Sequence, residues 1–108
     1  MNLLFVCNQG QNRSRTAAEL LKDSFSTQYT GLYSELLLKK SQMQWADIIL
    51  VMEDHQREEI SKRFPKEYME KRIISLDIPD YFHYNQPELI KLLKEKMPLI
   101  LSIPQIVS

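Results

Sequence analysis

Three apolar runs without polar alternation constrain the fold of this chain more than any other feature of its sequence. A strand that is covered on both faces, as in a parallel sheet, has apolar residues at consecutive positions, whereas a half-exposed strand alternates. The runs predict buried strands at residues 2–6, 46–52 and 72–76. A fourth and weaker strand is predicted at residues 29–33.

Helices are predicted between and after these strands. They cover residues 13–26, residues 53–64, which Pro65 would end, and residues 86–96, where Pro87 suits the first turn. Strands that alternate with helices through short connections favour an α/β three-layer sandwich with right-handed crossovers. The four predicted strands would form its parallel sheet.

The first strand leads directly into the stretch CNQGQNRS, which contains the single cysteine of the chain. In an open parallel sheet the ligand crevice lies at the carboxyl ends of the strands, which is where Cys7 is expected. Where a strand turns into a helix, several backbone N–H groups point at one spot, and the helix macrodipole adds about half a positive charge. The stretch therefore predicts an anion-binding loop.

The side chains of this stretch suit nucleophilic chemistry on a phosphate. Amide donors and the guanidinium of Arg13 favour thiolate over thiol, so that Cys7 would be nucleophilic at neutral pH. Arg13 offers a planar fork for two phosphate oxygens, and Ser14 is placed to hydrogen-bond the sulfur. Gly10 is free to adopt a positive φ as the loop curls around the anion. The alternative is that Cys7 is ordinary packing at the end of a core strand, as free cysteines commonly are.

Composition bears on partners and compartment. Fourteen basic and fourteen acidic residues give a formal net charge of zero, so no long-range field recruits nucleic acid or an anionic membrane. One cysteine forms no internal disulfide and no multi-thiolate zinc site, which fits the cytoplasm. We read no export signal at the start of the chain. We expect a single domain over residues 1–108.

The apolar tail MPLILSIPQIV falls short of a membrane span. Pro98 and Pro104 are expected to break it. We expect the tail to pack against the core or against another subunit, and the oligomeric state stays open.

Cysteine, five residues, arginine and serine follow an apolar strand in FVCNQGQNRSRTAAELL. This pattern resembles the signature of the low-molecular-weight protein tyrosine phosphatases, especially their short bacterial branch. The segments YTGLYS, WADIILVMEDH and RIISLDIPDYFHYNQPELIKLL resemble, in order, that branch's second strand, its third strand and its acid-bearing loop. The resemblance implies a four-stranded parallel sheet flanked by helices, no metal or organic cofactor, and hydrolysis of phosphomonoesters through a phosphocysteine.

The resemblance also implies residue roles. Cys7 is the nucleophile, Arg13 grips the phosphoryl oxygens and Ser14 tunes the thiolate. An aspartate in LDIPDYFHY donates a proton to the departing phenol, and Asp80 is preferred to Asp77 because aromatic residues follow it, as in the family. The residues expected to bind substrate are Asn8, Gln9, Gly10, Gln11, Asn12 and Tyr81.

The chain departs from the family pattern at several positions of the loop. Gly10 replaces an asparagine, which keeps the backbone geometry but removes side-chain bracing. Asn12 stands where many relatives carry a second cysteine, and Arg15 replaces a proline. Asn8 and Gln11 make the outward surface of the loop more polar than the apolar lining that suits a phosphotyrosine ring.

Other residues admit two interpretations. Trp45, Phe82 and Tyr84 would either wall the pocket or be ordinary packing. Glu53 would either brace the loop or cap the following helix. His83 fits a solvated loop residue better than a catalytic acid. The segment HQREEISKR is interpreted as a solvated helix face with opposite charges.

The sequence favours a cysteine-dependent phosphatase that acts on phosphotyrosine in proteins or on small aryl phosphates. A thiol-coupled arsenate reductase on the same scaffold would need further cysteines. A phosphocysteine carrier of the sugar phosphotransferase type also has a cysteine after its first strand, but an arginine and an acid are less expected there. A non-catalytic anion-binding regulatory module is a further alternative.

Overall fold

The computed structural model describes residues 1–33 and 37–101 and contains a four-stranded parallel sheet between two layers of helices. The strand order across the sheet is β2-β1-β3-β4. In chain order the elements are β1 (Asn2–Cys7), α1 (Arg13–Leu21), β2 (Ser26–Gly31), α2 (Lys40–Trp45), β3 (Ile48–Val51), α3 (Asp54–Arg63), α4 (Pro65–Glu70), β4 (Arg72–Ser75) and α5 (Pro87–Leu101). The predicted α/β fold class is confirmed.

The lack of alternation in the central strand β1 follows from its position between two hydrophobic clusters. Leu3 and Phe5 pack in one cluster, which also contains residues of α1 and α5. Leu4 and Val6 pack in the other, which contains residues of α2 and α3. Because successive side chains of a strand point to opposite faces, both sets must be apolar.

The edge strand β2 is displaced from its prediction. It begins at Ser26, because the predicted helix over residues 13–26 ends at Leu21 instead. Phe25 lies in the turn that follows and donates its backbone N–H to the Leu21 carbonyl at 3.0 Å, so its helical spacing was misleading. An edge strand is covered less completely, and the sequence STQYTG of β2 therefore lacks the apolar run of a central strand.

Two helices, α2 and α4, are absent from the sequence prediction. Each has six residues, which is less than two turns and too short for a helical period to be visible. Pro65 ends α3 as expected and then occupies the first turn of α4, where its missing N–H costs nothing.

The prediction that Pro98 breaks the tail was wrong. Helix α5 passes through Pro98 and ends at Leu101. Leu93 and Met97 are buried in the same cluster as α1, and this packing outweighs the one backbone hydrogen bond that a proline cannot make. The predicted break at Pro104 lies outside the described residues, as does most of the tail.

The parallel register brings the residues of interest to one edge of the sheet. Cys7 is level with Gly31, and Val6 is level with Val51, which is level with Ser75. The stretch 7–14, the start of α3 and the loop after β4 therefore meet at the carboxyl ends of the strands, as expected. In residues 1–33 and 37–101 no helix is long and apolar enough to cross a membrane.

Candidate active site

The loop between β1 and α1 is held by backbone packing. Gly10 has a φ of 72°, as the sequence predicts. A Cβ on Gly10 would lie 2.8 Å from the Gly31 nitrogen, and a Cβ on Gly31 would lie 2.6 Å from the carbonyl carbon of Gln9. The two glycines of the chain therefore allow the loop and the end of β2 to pack main chain against main chain. This contact replaces the bracing that an asparagine at position 10 would have supplied.

Hydrogen bonds from the residues after β2 fasten the start of the loop. The Leu32 N–H lies 3.1 Å from the Cys7 carbonyl and 3.0 Å from the Asn8 carbonyl, and the Tyr33 N–H donates to the Asn8 carbonyl at 2.9 Å. The backbone that carries the sulfur is therefore fixed before any ligand binds.

The sulfur of Cys7 lies inside this loop among hydrogen-bond donors. The Gly10 N–H donates to Sγ at 3.1 Å. The Ser14 hydroxyl lies 3.0 Å from Sγ and 3.4 Å from the Thr30 carbonyl. A hydroxyl has one proton, and donation to the nearer sulfur would stabilise a thiolate. The expected contact between Ser14 and the sulfur is present.

Arg13 is 1% exposed, and one of its terminal nitrogens makes two hydrogen bonds. Its Nη1 donates to the Ile78 carbonyl at 2.6 Å and to Oε1 of Glu53 at 2.5 Å. Within the described residues, its Nη2 is buried without a hydrogen-bond partner and lies 3.5 Å from Oδ1 of Asp80. A buried charged nitrogen without a hydrogen bond is costly, and the Asp80 oxygen lies beyond the usual hydrogen-bond distance, so this atom is positioned to receive an anion.

Asp80 and Asp77 have different surroundings. The Asp80 carboxylate lies beside Arg13, and its Oδ2 accepts from Nδ2 of Asn8 at 3.3 Å. Asp77 is exposed and has a φ of 56°, and its carbonyl accepts from Lys96 at 3.2 Å. Of the two carboxylates, Asp80 is the one that the structure brings to Arg13.

The sequence analysis did not fully predict how the residues at the start of α3 support the site. Glu53 occupies the N-cap position of α3 and also binds Arg13, so it acts in both of the proposed ways. The interpretation of HQREEISKR as a solvated face was wrong for Gln56 and Ile60, which are fully buried. A glutamine at the third position of a helix is a known capping pattern, and this signal could have identified Gln56.

The aromatic residues considered for the pocket lie in different parts of the structure. Tyr81 is exposed beside Asp80 and stacks on Phe82, with ring centroids 4.5 Å apart, while Phe82 belongs to the core. Trp45 lies at the other end of the sheet, where its carbonyl accepts from Asn2 at the start of β1. The suggestion that Trp45 walls the pocket was therefore wrong. His83 is exposed, as expected.

Tyr84 and Asn85 fasten the loop after β4 to α1. The Tyr84 hydroxyl donates to Oε2 of Glu19 at 2.6 Å, and the Arg15 guanidinium lies 4.2 Å from the centre of its ring. The Asn85 N–H donates to Oγ1 of Thr16 at 2.8 Å. These contacts hold the loop that carries Asp80 over the start of α1.

The hydrogen bond to Glu19, followed by desolvation and the nearby negative charge, raises the pKa of Tyr84 above its ordinary value. The folded protein therefore keeps this proton at a pH where the unfolded chain has lost it. The contribution to stability is complete below about pH 10 and disappears as the pH rises through the raised pKa. We expect the phenolate absorbance titration of wild type minus that of Tyr84→Phe to have its midpoint above pH 10. A midpoint at or below about 10 would contradict the contact.

The polar groups near Cys7 bear on the charge of a ligand that could bind there. No cluster of three or more histidine, cysteine, aspartate or glutamate side chains suited to a metal ion occurs in residues 1–33 and 37–101. The polar atoms around Cys7 are hydrogen-bond donors, which suit an anion and not a cation.

No protein-family model matches the chain, and no curated protein sequence is similar to it. Solved structures are similar over most of their length. YwlE arginine phosphatase from Geobacillus stearothermophilus aligns with 98% of this chain and 96% of its own, with a TM-score of 0.71 and 21% identity. The low-molecular-weight protein tyrosine phosphatase from T. tengcongensis aligns over 97% and 98%, with a TM-score of 0.74 and 16% identity. The chain has the low-molecular-weight protein tyrosine phosphatase fold.

A further phosphatase of this fold shows how widely it is shared. The tyrosine phosphatase Wzb from Escherichia coli K30, in complex with phosphate, aligns with 88% of this chain and 91% of its own, with a TM-score of 0.73 and 16% identity. The resemblance that the loop and strands suggested is confirmed for the fold.

Proposed function

We propose that this protein is a cysteine-dependent phosphatase that hydrolyses phosphomonoesters through a phosphocysteine intermediate. One observation supports the proposal most strongly. The sulfur of Cys7 and the Nη2 of Arg13, which has no hydrogen-bond partner among the described residues, lie at the two ends of the same five-residue loop, and both are buried. Burial of a thiol and a partly unsatisfied guanidinium together is explained by an anion that binds between them.

The first step would transfer the phosphoryl group to sulfur. The loop amides and Arg13 hold the phosphoryl oxygens, and the Cys7 thiolate attacks phosphorus in line with the ester oxygen. The S–P bond forms as the P–O bond to the leaving group breaks. Asp80 donates its proton to the departing oxygen, so that a neutral alcohol or phenol leaves.

The second step would release inorganic phosphate. The Asp80 carboxylate removes a proton from a water molecule, whose oxygen attacks phosphorus while the S–P bond breaks. The departing thiolate is stabilised by the Gly10 N–H and by the Ser14 hydroxyl. Asp80 is then protonated again and ready for the next substrate.

The position of Asp80 favours hydrolysis over the other functions. A phosphocysteine carrier relays its phosphoryl group and needs no acid for a leaving alcohol. A non-catalytic anion-binding module needs no acid either. The carboxylate 3.5 Å from the Arg13 guanidinium therefore favours an enzyme that protonates a leaving group and activates water.

The substrate class has two candidates. Exposed Tyr81 beside Asp80 suits the ring of phosphotyrosine or of a small aryl phosphate. Gln9 and Gln11 are exposed on the loop, and their carboxamide oxygens can accept hydrogen bonds from a guanidinium. Two structural neighbours are arginine phosphatases, and one of them has a phosphorylated active-site serine. We propose a phosphoprotein substrate, with phosphotyrosine as the first candidate and phosphoarginine as the second.

The test is hydrolysis of an aryl phosphate in the presence of a metal chelator. We expect turnover by the wild type and a loss of about 10²- to 10⁴-fold in Asp80→Asn, because a positioned acid contributes that much. Asp77→Asn is the matched control, since asparagine tolerates the positive φ at this position and should leave the rate within about threefold. Parallel assays on phosphotyrosine and phosphoarginine peptides identify the preferred class.

Two results would contradict the proposal. If the wild type hydrolysed none of these substrates, the proposal that the protein is a phosphatase would be wrong. If Asp77→Asn were inactive while Asp80→Asn kept full activity, Asp77 would be the acid instead.

A further inference from the structure

We infer that Asn8, held in one orientation by Gln56, is a positioning residue that decides which oxygen of Asp80 delivers the proton. The inference rests on the proposed phosphatase function and concerns a part of the site that the reaction does not touch directly. It follows from a chain of hydrogen bonds that runs from the backbone at the start of α3 to the Asp80 carboxylate.

The chain begins at Gln56, whose amide has a single possible orientation. Its Oε1 accepts the N–H of Met52 at 2.8 Å and the N–H of Glu53 at 2.9 Å. Backbone N–H groups only donate, so the oxygen of the fully buried Gln56 must face them. Its amino group therefore points the other way, toward Asn8.

The orientation of Gln56 fixes that of Asn8. Nε2 of Gln56 donates to Oδ1 of Asn8 at 2.9 Å. The amino group of Asn8 must then face Asp80, where Nδ2 donates to Oδ2 at 3.3 Å. A flipped Asn8 would set its oxygen against the carboxylate and its amino group against that of Gln56, so both contacts would be repulsive.

The two oxygens of Asp80 are consequently different. Oδ2 accepts the hydrogen bond from Asn8, and a proton on this oxygen would meet the N–H of the amide. Oδ1 lies 3.5 Å from Nη2 of Arg13, on the side where the phosphate would be held. Once a bound phosphate accepts the N–H of Nη2, Oδ1 is the oxygen left to carry the proton toward the leaving group, and the same oxygen receives a proton from water in the second step.

The hydrogen bond from Asn8 matters because the Asp80 carboxyl would otherwise be free to rotate. Its side chain is 55% exposed, and the terminal torsion of an aspartate has a broad preference. Without the amide of Asn8, the carboxyl would rotate among orientations that present either oxygen to the substrate. The acid would remain present but would be aimed correctly for a smaller part of the time.

The experiment is a leaving-group series with Asn8→Ala. Aryl phosphates with poor leaving groups depend on the acid, whereas those with good leaving groups do not. We expect kcat/KM to fall about 10- to 100-fold more for phenyl phosphate than for dinitrophenyl phosphate. In an Asp80→Asn background, Asn8→Ala should no longer affect the two substrates differently, because no acid is left to position.

Substitutions of two glutamines at helix starts distinguish a loss of Asp80 positioning from a general loss of stability. Gln56→Met should reproduce the leaving-group dependence of Asn8→Ala, since it releases the Asn8 amide. Gln42→Met is the matched control, because Gln42 accepts the N–H of Lys39 at the start of α2 as Gln56 accepts that of Glu53. It contacts Gln28 in the middle of β2 and should leave the series unchanged.

The inference is overturned by an equal loss in Asn8→Ala for good and poor leaving groups, or by a difference between the two that persists in the Asp80→Asn background. Unchanged kinetics in Asn8→Ala would overturn it as well, while wild-type turnover would leave the proposed function intact. If the wild type had no turnover, the proposed function itself would fail, and this inference with it.

Discussion

Replacement of Cys7 by serine is expected to lower kcat/KM for an aryl phosphate by at least about 10⁴-fold, because loss of a nucleophile removes the whole covalent route. A serine hydroxyl would lie where the sulfur lies, but it ionises far less readily than a thiol. The groups around the sulfur are the Gly10 N–H and the Ser14 hydroxyl, and neither is a base that removes a proton. Steady-state assays of the two purified proteins provide the measurement.

The same variant supplies its own control for folding. The loop amides and Arg13 are unchanged, so inorganic phosphate should still raise the melting temperature of Cys7→Ser. Activity within about tenfold of the wild type would show that the sulfur is not the nucleophile. Loss of both activity and phosphate stabilisation would indicate a collapsed loop, and Cys7→Ala would then have to reproduce the catalytic loss with phosphate binding intact.

Replacement of Arg13 by lysine is expected to cost about 10³-fold or more in kcat/KM, the scale on which arginine assists phosphoryl transfer. The guanidinium uses one nitrogen for Glu53 and the Ile78 carbonyl, and the proposed mechanism assigns the other to the phosphate. An ammonium is a single point of charge, so it can satisfy the first set or the second but not both. The melting temperature should also fall, because a single ammonium replaces a planar group that binds Glu53 and the Ile78 carbonyl and lies beside Asp80.

Arg57→Lys is the control for this substitution. Arg57 pairs with Asp54 on the surface of α3, at 3.5 Å, and such pairs contribute little. Its activity and melting temperature should match those of the wild type. A fully active Arg13→Lys would contradict the role of the planar fork, whatever the control shows.

Local patterns allowed much of this site to be predicted. The spacing of Cys7, Arg13 and Ser14 depends on a single strand-to-helix turn, and the structure brings the Cys7 sulfur and the Ser14 hydroxyl together as expected, with Arg13 as the first residue of α1. The same holds for the central strands, whose apolar runs reflect burial on both faces. The preference for Asp80 over Asp77 rested on the family resemblance, in which aromatic residues follow the acid, and the structure places the Asp80 carboxylate beside Arg13.

Partners that are distant in the chain could not be predicted in the same way. The pair between Arg13 and Glu53, forty positions apart, depends on β3 lying next to β1 in the sheet, and no local pattern encodes that order. Gln56 was assigned to a solvated face because its neighbours are charged, although the helix turns this one side chain inward. For Trp45 the residue type alone left two interpretations open, and only the fold shows that it lies at the other end of the sheet.

Gly10 shows which part of a loop contact can be predicted from the sequence and which part cannot. Its positive φ was predicted from the loop alone, whereas the loss of bracing was an incomplete interpretation. The compensating partner is Gly31, and its close approach to Gln9 depends on how β2 aligns with β1. A sequence pattern indicates the freedom of one glycine but not the pairing of two.

The central claim is that the Cys7 sulfur attacks a phosphoryl group held by the loop and by Arg13. The most direct test uses Asp80→Asn with dinitrophenyl phosphate, since a good leaving group needs no acid in the first step but the second step still lacks its base. Rapid quenching followed by peptide mass spectrometry should find phosphate covalently attached to Cys7. Product release with no phosphate on Cys7 at any quench time, or with phosphate on another residue, would contradict the account.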